Sequence, residues 1–307
     1  MTNQRVLVLM SSYNGEKYIE EQILSIMNQE SEYQIDLWIR DDGSTDDTCN
    51  VIAKTRKAFP GRIKLIKGER LGYNGGFIFL LNQARDYTFY ALSDQDDVWL
   101  SNKIQVACEK LRKEDNTIPL LYASTSLLVK DDLKPFGTTR KQRRELSIFN
   151  TIVQNICPGH TQVLNNALLN LFKELVIDIH QIYVYDSWIM NLANLYGKII
   201  FNNEPFALYR QHQENQLGSG AGAFGRIQKI IKRSDNGDGL RYRKQIEYFI
   251  KCNKNELVSK GVFSYLNEFI SAKSLKDRII LAFHGKLYRQ SRFETLLLYI
   301  AILLGKY

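Results

Sequence analysis

Asp94, Gln95 and Asp96 place two carboxylates one residue apart. Carboxylates held that close repel each other unless a cation lies between them. A divalent ion with oxygen ligands relieves the repulsion, and Mg²⁺ is commonly shared between carboxylates and substrate phosphates. A second acidic pair, Asp41–Asp42, leads into Gly43–Ser44. A turn with a helix cap accounts for Ser44 to Asp46, but less well for two adjacent acids. A carboxylate there can accept the imide N–H of a uracil or thymine ring. An Asp-x-Asp alone is common in acidic turns, so its meaning depends on the elements that carry it.

Those elements alternate. Val6 to Met10 is a short apolar run of the kind a buried strand needs, and the turn Ser11–Gly15 follows it. Ile19, Ile23, Ile26 and Met27 then recur at helical spacing. A second strand is predicted over Ile35 to Arg40, then a helix containing Val51 and Ile52 that Thr45 or Asp46 can cap. Ile63 to Ile66 is a third strand, a helix carries Phe77, Leu80 and Leu81, and Tyr87 to Leu92 is a fourth strand. Strands alternating with helices imply an α/β fold around a mostly parallel sheet. Ligands of such sheets bind beyond the carboxyl ends of the strands. Ser11–Gly15, Asp41–Ser44 and Asp94–Asp97 all follow strands directly, so they are expected to converge on one edge.

Further along, Leu120 to Val129 reads as another strand, and residues 134–147 as a polar, basic, mobile loop. Gly218, Gly220, Gly222, Gly225, Gly237 and Gly239 mark a flexible linker or flap over 218–240, and helices are expected from Tyr242 to Tyr307. The expected organisation is therefore 1–217, 218–240 and 241–307.

Length and composition permit one large domain or two unequal ones and exclude several classes. Of 307 residues, 44% are hydrophobic and 24% charged, which is ordinary for a folded domain. The four cysteines, Cys49, Cys108, Cys157 and Cys252, form no C-x-x-C pair, which argues against a zinc site or a disulfide scaffold. Met1 to Met10 lacks the features of a signal peptide, and a cytosolic setting is expected. Gly220–Gly225 spells G-x-G-x-x-G, but no strand precedes it, which disfavours a nicotinamide-dependent oxidoreductase.

Five segments together resemble family 2 glycosyltransferases. They are Met10–Gly15, Arg40–Asp46, Leu92–Trp99, Tyr185–Trp188 and Tyr209–His212 followed by Asn215 and Gly218. The Ser-Asp-Gln-Asp-Asp-Val-Trp form is similar to the rhamnosyltransferase-like branch of bacterial polysaccharide assembly, whose His-Asp-Trp-Trp segment has Tyr185 here in place of His. The resemblance covers about residues 5 to 220 and implies a GT-A-like, Rossmann-type nucleotide-binding domain, with a C-terminal helical region beyond it.

The resemblance also implies roles. Tyr13 and Asp42, with Asp41 beside them, would hold the nucleoside. Ser11, Asn14 and Gln95 lie in the same nucleotide-sugar-binding segments, and Asp94 would face the ribose and diphosphate. Asp96 would be the metal ligand, with His212 reaching the metal or diphosphate and Arg210 nearby. Asp186 would be the catalytic base of an inverting displacement; by itself it reads as an ordinary helix cap. Cys157–Thr161 sits where the branch often has a Gly-Gly-Thr or Gly-Cys-Thr acceptor-side loop, and His160 departs from that pattern. The implied cofactor is Mg²⁺ or Mn²⁺. The implied donor is a nucleotide sugar, dTDP-rhamnose first and a UDP-hexose second, and the acceptor a lipid-linked saccharide or polysaccharide at the inner face of the cell membrane.

Charge adds one more partner question. Residues 226–307 hold 17 Lys and Arg against 7 Asp and Glu, a local +10 in a chain of +8, so the remainder carries −2. A basic tail suits an anionic surface, either phospholipid or nucleic acid. No nucleic-acid motif accompanies Tyr242, Tyr248 and Phe249. The apolar run Phe293 to Leu304 is too short to span a bilayer, which leaves an interfacial anchor, a buried terminal helix or a dimer contact. A binding module that keeps the fold without catalysis is disfavoured by the joint presence of Asp94, Asp96 and Asp186.

Overall fold

A computed structural model describes residues 4–175, 178–211 and 238–307. His212, Asn215, Gly218 and nearly all of the expected 218–240 linker, with its Gly220–Gly225 motif, lie outside the described residues.

The first half builds as its pattern dictates. β1 (Arg5–Ser12), β2 (Gln34–Asp41), β3 (Ile63–Lys67) and β4 (Phe89–Ser93) are joined by α1 (Ile19–Met27), α2 (Thr48–Thr55) and α3 (Gly72–Gln83). Every residue from Val6 to Met10 is fully buried, because helices cover both faces of the parallel sheet. Side chains alternate across the strand. Leu7 and Leu9 enter one core with Phe77, Leu80 and Leu81 of α3. Val6, Val8 and Met10 enter the other with Ile19, Ile23 and Ile26 of α1. The N-cap of α2 is Asp47 rather than the expected Thr45 or Asp46, and Asp46, one residue earlier, accepts from the Thr48 N–H.

The sheet then changes character. Strand order is β3-β2-β1-β4-β8-β6-β9-β5, with β7 (Pro135–Thr138) alongside β6 (Leu120–Val129). The β3-β2-β1-β4 portion is parallel. β8 (Val163–Asn165) runs antiparallel to both β4 and β6. β9 (Lys198–Arg210) runs parallel to β6 and antiparallel to β5 (Val98–Trp99). Hence the α/β fold is mixed rather than simply doubly wound. α4 (Lys103–Arg112), α5 (Ile148–Thr151), α6 (Asn166–Glu174) and α7 (Tyr185–Tyr196) complete this half.

Among the described residues, five further helices follow: 238–252, 254–259, 263–271, 275–284 and 292–303. Their Ile246, Phe249, Leu257, Leu266, Leu281 and Leu298 join the same core as Leu7, Phe77 and Trp188. The helical region is thus packed onto the sheet layer and shares its core.

Residues 134–147 differ from their expected mobility. β7 pairs with β6, and the Arg143 and Arg144 N–H groups both donate to Gln290 Oε1 at 2.8 Å. Arg140 pairs with the buried Glu294 at 3.2 Å. A polar, basic composition looked solvent-seeking, but its partners lie some 150 residues downstream in the C-terminal helices and no local pattern announces them.

Candidate active site at the carboxyl edge of the parallel strands

Strand register brings the polar clusters together. Ser12 lies opposite Asp41, and Met10 opposite Ser93, so the loops after β1, β2 and β4 leave the sheet at one edge. They are then cross-linked. Tyr13 N–H donates to Gln95 Oε1 at 2.9 Å, and Gln95 Nε2 donates back to Tyr13 O at 3.0 Å. Asn14 N–H donates to Ser44 Oγ at 2.9 Å, while Asn14 Oδ1 accepts from Thr45 N–H at 2.9 Å. A Cβ at Gly15 would lie 2.4 Å from Gln95 Oε1, so a side chain here would push Gln95 off Tyr13. Likewise a Cβ at Gly76 of α3 would lie 2.2 Å from Ser11 Oγ. Arg70 stacks on the Tyr13 ring at 4.3 Å.

Asp41 and Asp42 are buried with their partners. Asp41 accepts from Gly43 and Ser44 N–H and from Ser44 Oγ, shaping the turn. Asp42 pairs with Arg40 and accepts the Leu71 and Gly72 N–H groups at 2.7 Å each. A carboxylate at a helix N-terminus satisfies orphan donors and the positive end of the dipole. Asp42 therefore fixes where α3 begins.

The acidic turn after β4 holds the strongest electrostatic anomaly. Asp94 Oδ1 and Asp97 Oδ2 are buried with no hydrogen-bond partner. His160 Nδ1 lies 3.8 Å from Asp94 Oδ2 and 4.0 Å from Asp97 Oδ2, too far for hydrogen bonds. Ser126 Oγ meets the other ring nitrogen, Nε2, at 2.9 Å, and Tyr209 stacks on the ring at 4.4 Å. Burial, then the neighbouring Lys103 ammonium, pushes the imidazole down to about 3. A neutral imidazole has a lone pair to offer. Burial, reinforced by repulsion among Asp94, Asp96 and Asp97, pushes Asp94 and Asp97 above the usual carboxylate range. One potential ligand atom from each of Asp94, Asp97 and His160 falls within 4.8 Å of the others. Two carboxylates, each with a buried, partnerless oxygen, beside a neutral imidazole fit a divalent cation such as Mn²⁺ or Mg²⁺.

The sequence reading nominated Asp96 and His212 as the ligands. Asp96 sits between the two grouped acids and adds its charge to both; His212 lies outside the described residues. Lys103 completes the cluster from the start of α4. It is fully buried, donates to His160 O and stacks on Trp99 at 3.9 Å. Burial draws the amine down to about 7, against the pull of Asp97 and Asp94.

Arg210 lies behind this turn. Its guanidinium donates to Asp96 O at 2.9 Å, Asp131 O at 2.5 Å and Glu21 Oε2 at 2.5 Å, and its N–H donates to Asp97 Oδ1. These bonds hold the acidic loop in shape.

Asp186 enters from the first turn of α7. Its carboxylate accepts from Gly159 N–H at 2.9 Å and Ser187 N–H at 2.7 Å, and burial nevertheless pushes it up to about 6. Asp94 feels its charge, so the base candidate and the acidic turn share one electrostatic neighbourhood. α3 links the two. Asn74 takes Tyr185 N–H on its Oδ1 and donates to Tyr183 O. Tyr73 Oη lies 3.4 Å from Tyr185 Oη, and the Tyr73 hydroxyl draws the Asp94 carboxyl down against its burial. The loop Cys157–Thr161 closes the far wall, where a Cβ at Gly159 would lie 2.1 Å from Tyr185 Oη.

Sequence reasoning missed Asp97, Lys103, Tyr73 and the grouping of His160 with the acids. Asp97 stood in the quoted motif, and His160 was visible as a departure from the family pattern. Their proximity depends on β8 turning antiparallel beside β4, which the local pattern does not encode.

Comparison with known proteins gives the family and the fold. The sequence matches the model of Glycosyl transferase family 2 over residues 7–169. It is 28% identical to the dTDP-rhamnosyl transferase RfbG of Shigella flexneri, covering 68% of this chain and 74% of that one. It is also 28% identical to the UDP-Glc:alpha-D-GlcNAc-diphosphoundecaprenol beta-1,3-glucosyltransferase WfgD of Escherichia coli, over 61% of this chain and 70% of that one. Among solved structures, TarS 1-349 of S. aureus in complex with UDP-GlcNAc superposes with a TM-score of 0.58 at 17% identity, covering 99% and 89% of the two chains. The mannosyltransferase PcManGT of Pyrobaculum calidifontis, in complex with GDP-Man and Mn²⁺, superposes at 0.55 with 16% identity, covering 99% and 86%. At these identities the two structures show the shared fold.

Proposed function

This chain belongs to glycosyl transferase family 2, and we propose that it moves a sugar from a nucleoside diphosphate donor to an acceptor hydroxyl with inversion at the anomeric carbon. One observation carries the reading: a buried, elevated carboxylate, Asp186, shares an electrostatic neighbourhood with partnerless carboxylate oxygens at the edge of a parallel sheet. Asp186 takes the acceptor's proton while the acceptor oxygen bonds to the anomeric carbon. The anomeric C–O bond to the diphosphate breaks on the opposite face, and its electron pair leaves with the diphosphate. Gly159 and Ser187 hold the base through their N–H groups.

We place the nucleoside against Tyr13 and Asn14, with Ser11, Asp41 and Gln95 shaping its pocket. Asp42 spends three acceptor sites on Arg40, Leu71 and Gly72, which leaves one for an imide N–H. Asp94, Asp97 and His160 would hold a divalent cation, with Asp96 beside them. When bound, that ion supplies positive charge next to the diphosphate. Arg210 supports the turn that carries these acids. The reaction is assigned to residues 1–217, with 218–240 as connector and 241–307 as a basic helical brace.

The likeness to RfbG favours dTDP-rhamnose as donor. The likeness to WfgD favours UDP-glucose as the second reading and a lipid-linked glycan as acceptor. A panel of nucleotide sugars with Mg²⁺ or Mn²⁺, scored for thermal shift and donor hydrolysis, decides between donors. Asp186→Asn is expected to keep donor binding and lose transfer; normal transfer by that variant would overturn the assignment of the base.

A further inference from the structure

The helices Leu275–His284 and Arg292–Leu303 fold back on each other, joined where Arg278 reaches Leu303 O. Each buries one face in the core, through Leu281 in the first and Leu298, Ala301 and Ile302 in the second. Their other faces are apolar as well. Leu275, Ile279 and Phe283 recur at four-residue spacing and stand exposed, Phe283 to 90%. Phe293, Leu296, Ile300 and Leu304 do the same at three- and four-residue spacing, Leu304 to 63%. An apolar stripe at helical spacing belongs against a partner.

Charge indicates which partner. Exposed Lys273, Lys276, Lys286, Arg292 and Lys306 lie within the same 35 or so residues. The acids of this stretch are committed elsewhere. Asp277 caps its own helix with Ser274, and Glu294 is buried against Arg140 and Gln154. Neither helix is long enough to cross a bilayer, and among the described residues no helix is long and apolar enough to do so. Short helices with an outward apolar stripe and a cationic border lie in the interface of an anionic membrane.

We infer that these two helices dock the protein on an anionic phospholipid surface, with Phe283, Leu296 and Ile300 entering the headgroup–acyl boundary and the lysines and arginines on the lipid phosphates. The inference gives the lipid-linked acceptor proposed above a place to be met. It is measured without catalysis, so its failure leaves the transfer reaction standing.

The test is flotation of the full chain with vesicles of phosphatidylcholine containing about a third phosphatidylglycerol, beside vesicles of phosphatidylcholine alone. Binding to the anionic vesicles should be strong and should fall as salt rises. The double variant Phe283→Ser/Leu296→Ser, both positions being exposed, should keep its melting temperature and lose at least about tenfold in partitioning. Lys276→Gln/Arg292→Gln should weaken anionic binding about thirtyfold, since each of the two charges contributes on the order of 1 kcal/mol near such a surface. Wild type left in the aqueous fraction, or equal flotation of wild type and double variant, overturns the inference. So does a stable dimer by light scattering that the double variant dissolves, because a second copy would then be the occupant of the stripe.

Discussion

At the scale of single residues, the acidic turn is costly to fold without a cation. Asp94 and Asp97 each bury an oxygen without a partner, and each carboxyl is held above its usual range by burial and by its acidic neighbours. Asp94→Asn removes one of the repelling charges. It should therefore raise the metal-free protein's stability by about 1–3 kcal/mol, read as a higher melting temperature. The same variant should lose the stabilisation that added Mn²⁺ gives the wild type. Asp186 yields a pH prediction. Its protonated form persists up to about 6, and only the charged form accepts a proton. The rate should thus fall as pH drops through about 6, by about tenfold per unit below it. A kcat/KM profile measures this, and a flat profile down to pH 5 would remove Asp186 from the chemistry. The type of most site residues was readable in the sequence, since Asp94, Asp96 and Asp186 sit in ordered motifs. The partners of Asp41, Asp42 and Arg210 were not. A carboxylate aimed at a nucleobase and one capping a helix have the same letter, and only the fold tells which N–H it meets.

At the scale of elements, the helix Asp238–Cys252 is a brace for the base. Gln245 is buried, takes the Tyr183 and Val184 N–H groups at 2.8 and 2.7 Å, and donates to Val184 O at 3.1 Å. Tyr242 meets Ser187, the residue after the base, at 2.9 Å. Gln245→Ala would strand two N–H groups, each at about 1–3 kcal/mol. We expect a lower melting temperature and a kcat reduced about tenfold or more, while the donor's dissociation constant stays within about twofold. Steady-state kinetics beside nucleotide titration separates these effects. Strands β1 to β4 and their helices were legible because period-two and helical patterns are local. β8 was not, because three residues carry too little pattern to reveal that they run antiparallel between β4 and β6.

At the scale of the whole molecule, the basic tail shares a hydrophobic core with the sheet layer. Trp188 of α7 stacks on Tyr248 at 5.7 Å and meets Phe249 edge-on at 5.2 Å. Glu294 joins Arg140 of one half to Gln154 and the terminal helix. Denaturation should then follow a single transition, with tryptophan fluorescence and far-ultraviolet circular dichroism coinciding. Two separated transitions would mark the tail as an independent unit. From charge alone the tail read as a separate basic region, because its apolar residues are spaced for a helix and do not name the surface they cover.

That shared core has a consequence for synthesis. Trp188 of α7 reaches its final surroundings only when Tyr248 and Phe249 have been made. A nascent chain emerges amino end first, so this face of α7 waits, uncovered, while about 60 residues follow. Ribosome-bound intermediates of this protein should therefore be chaperone clients until the last helices clear the exit tunnel, and contacts this distant in sequence set a slow pace for folding.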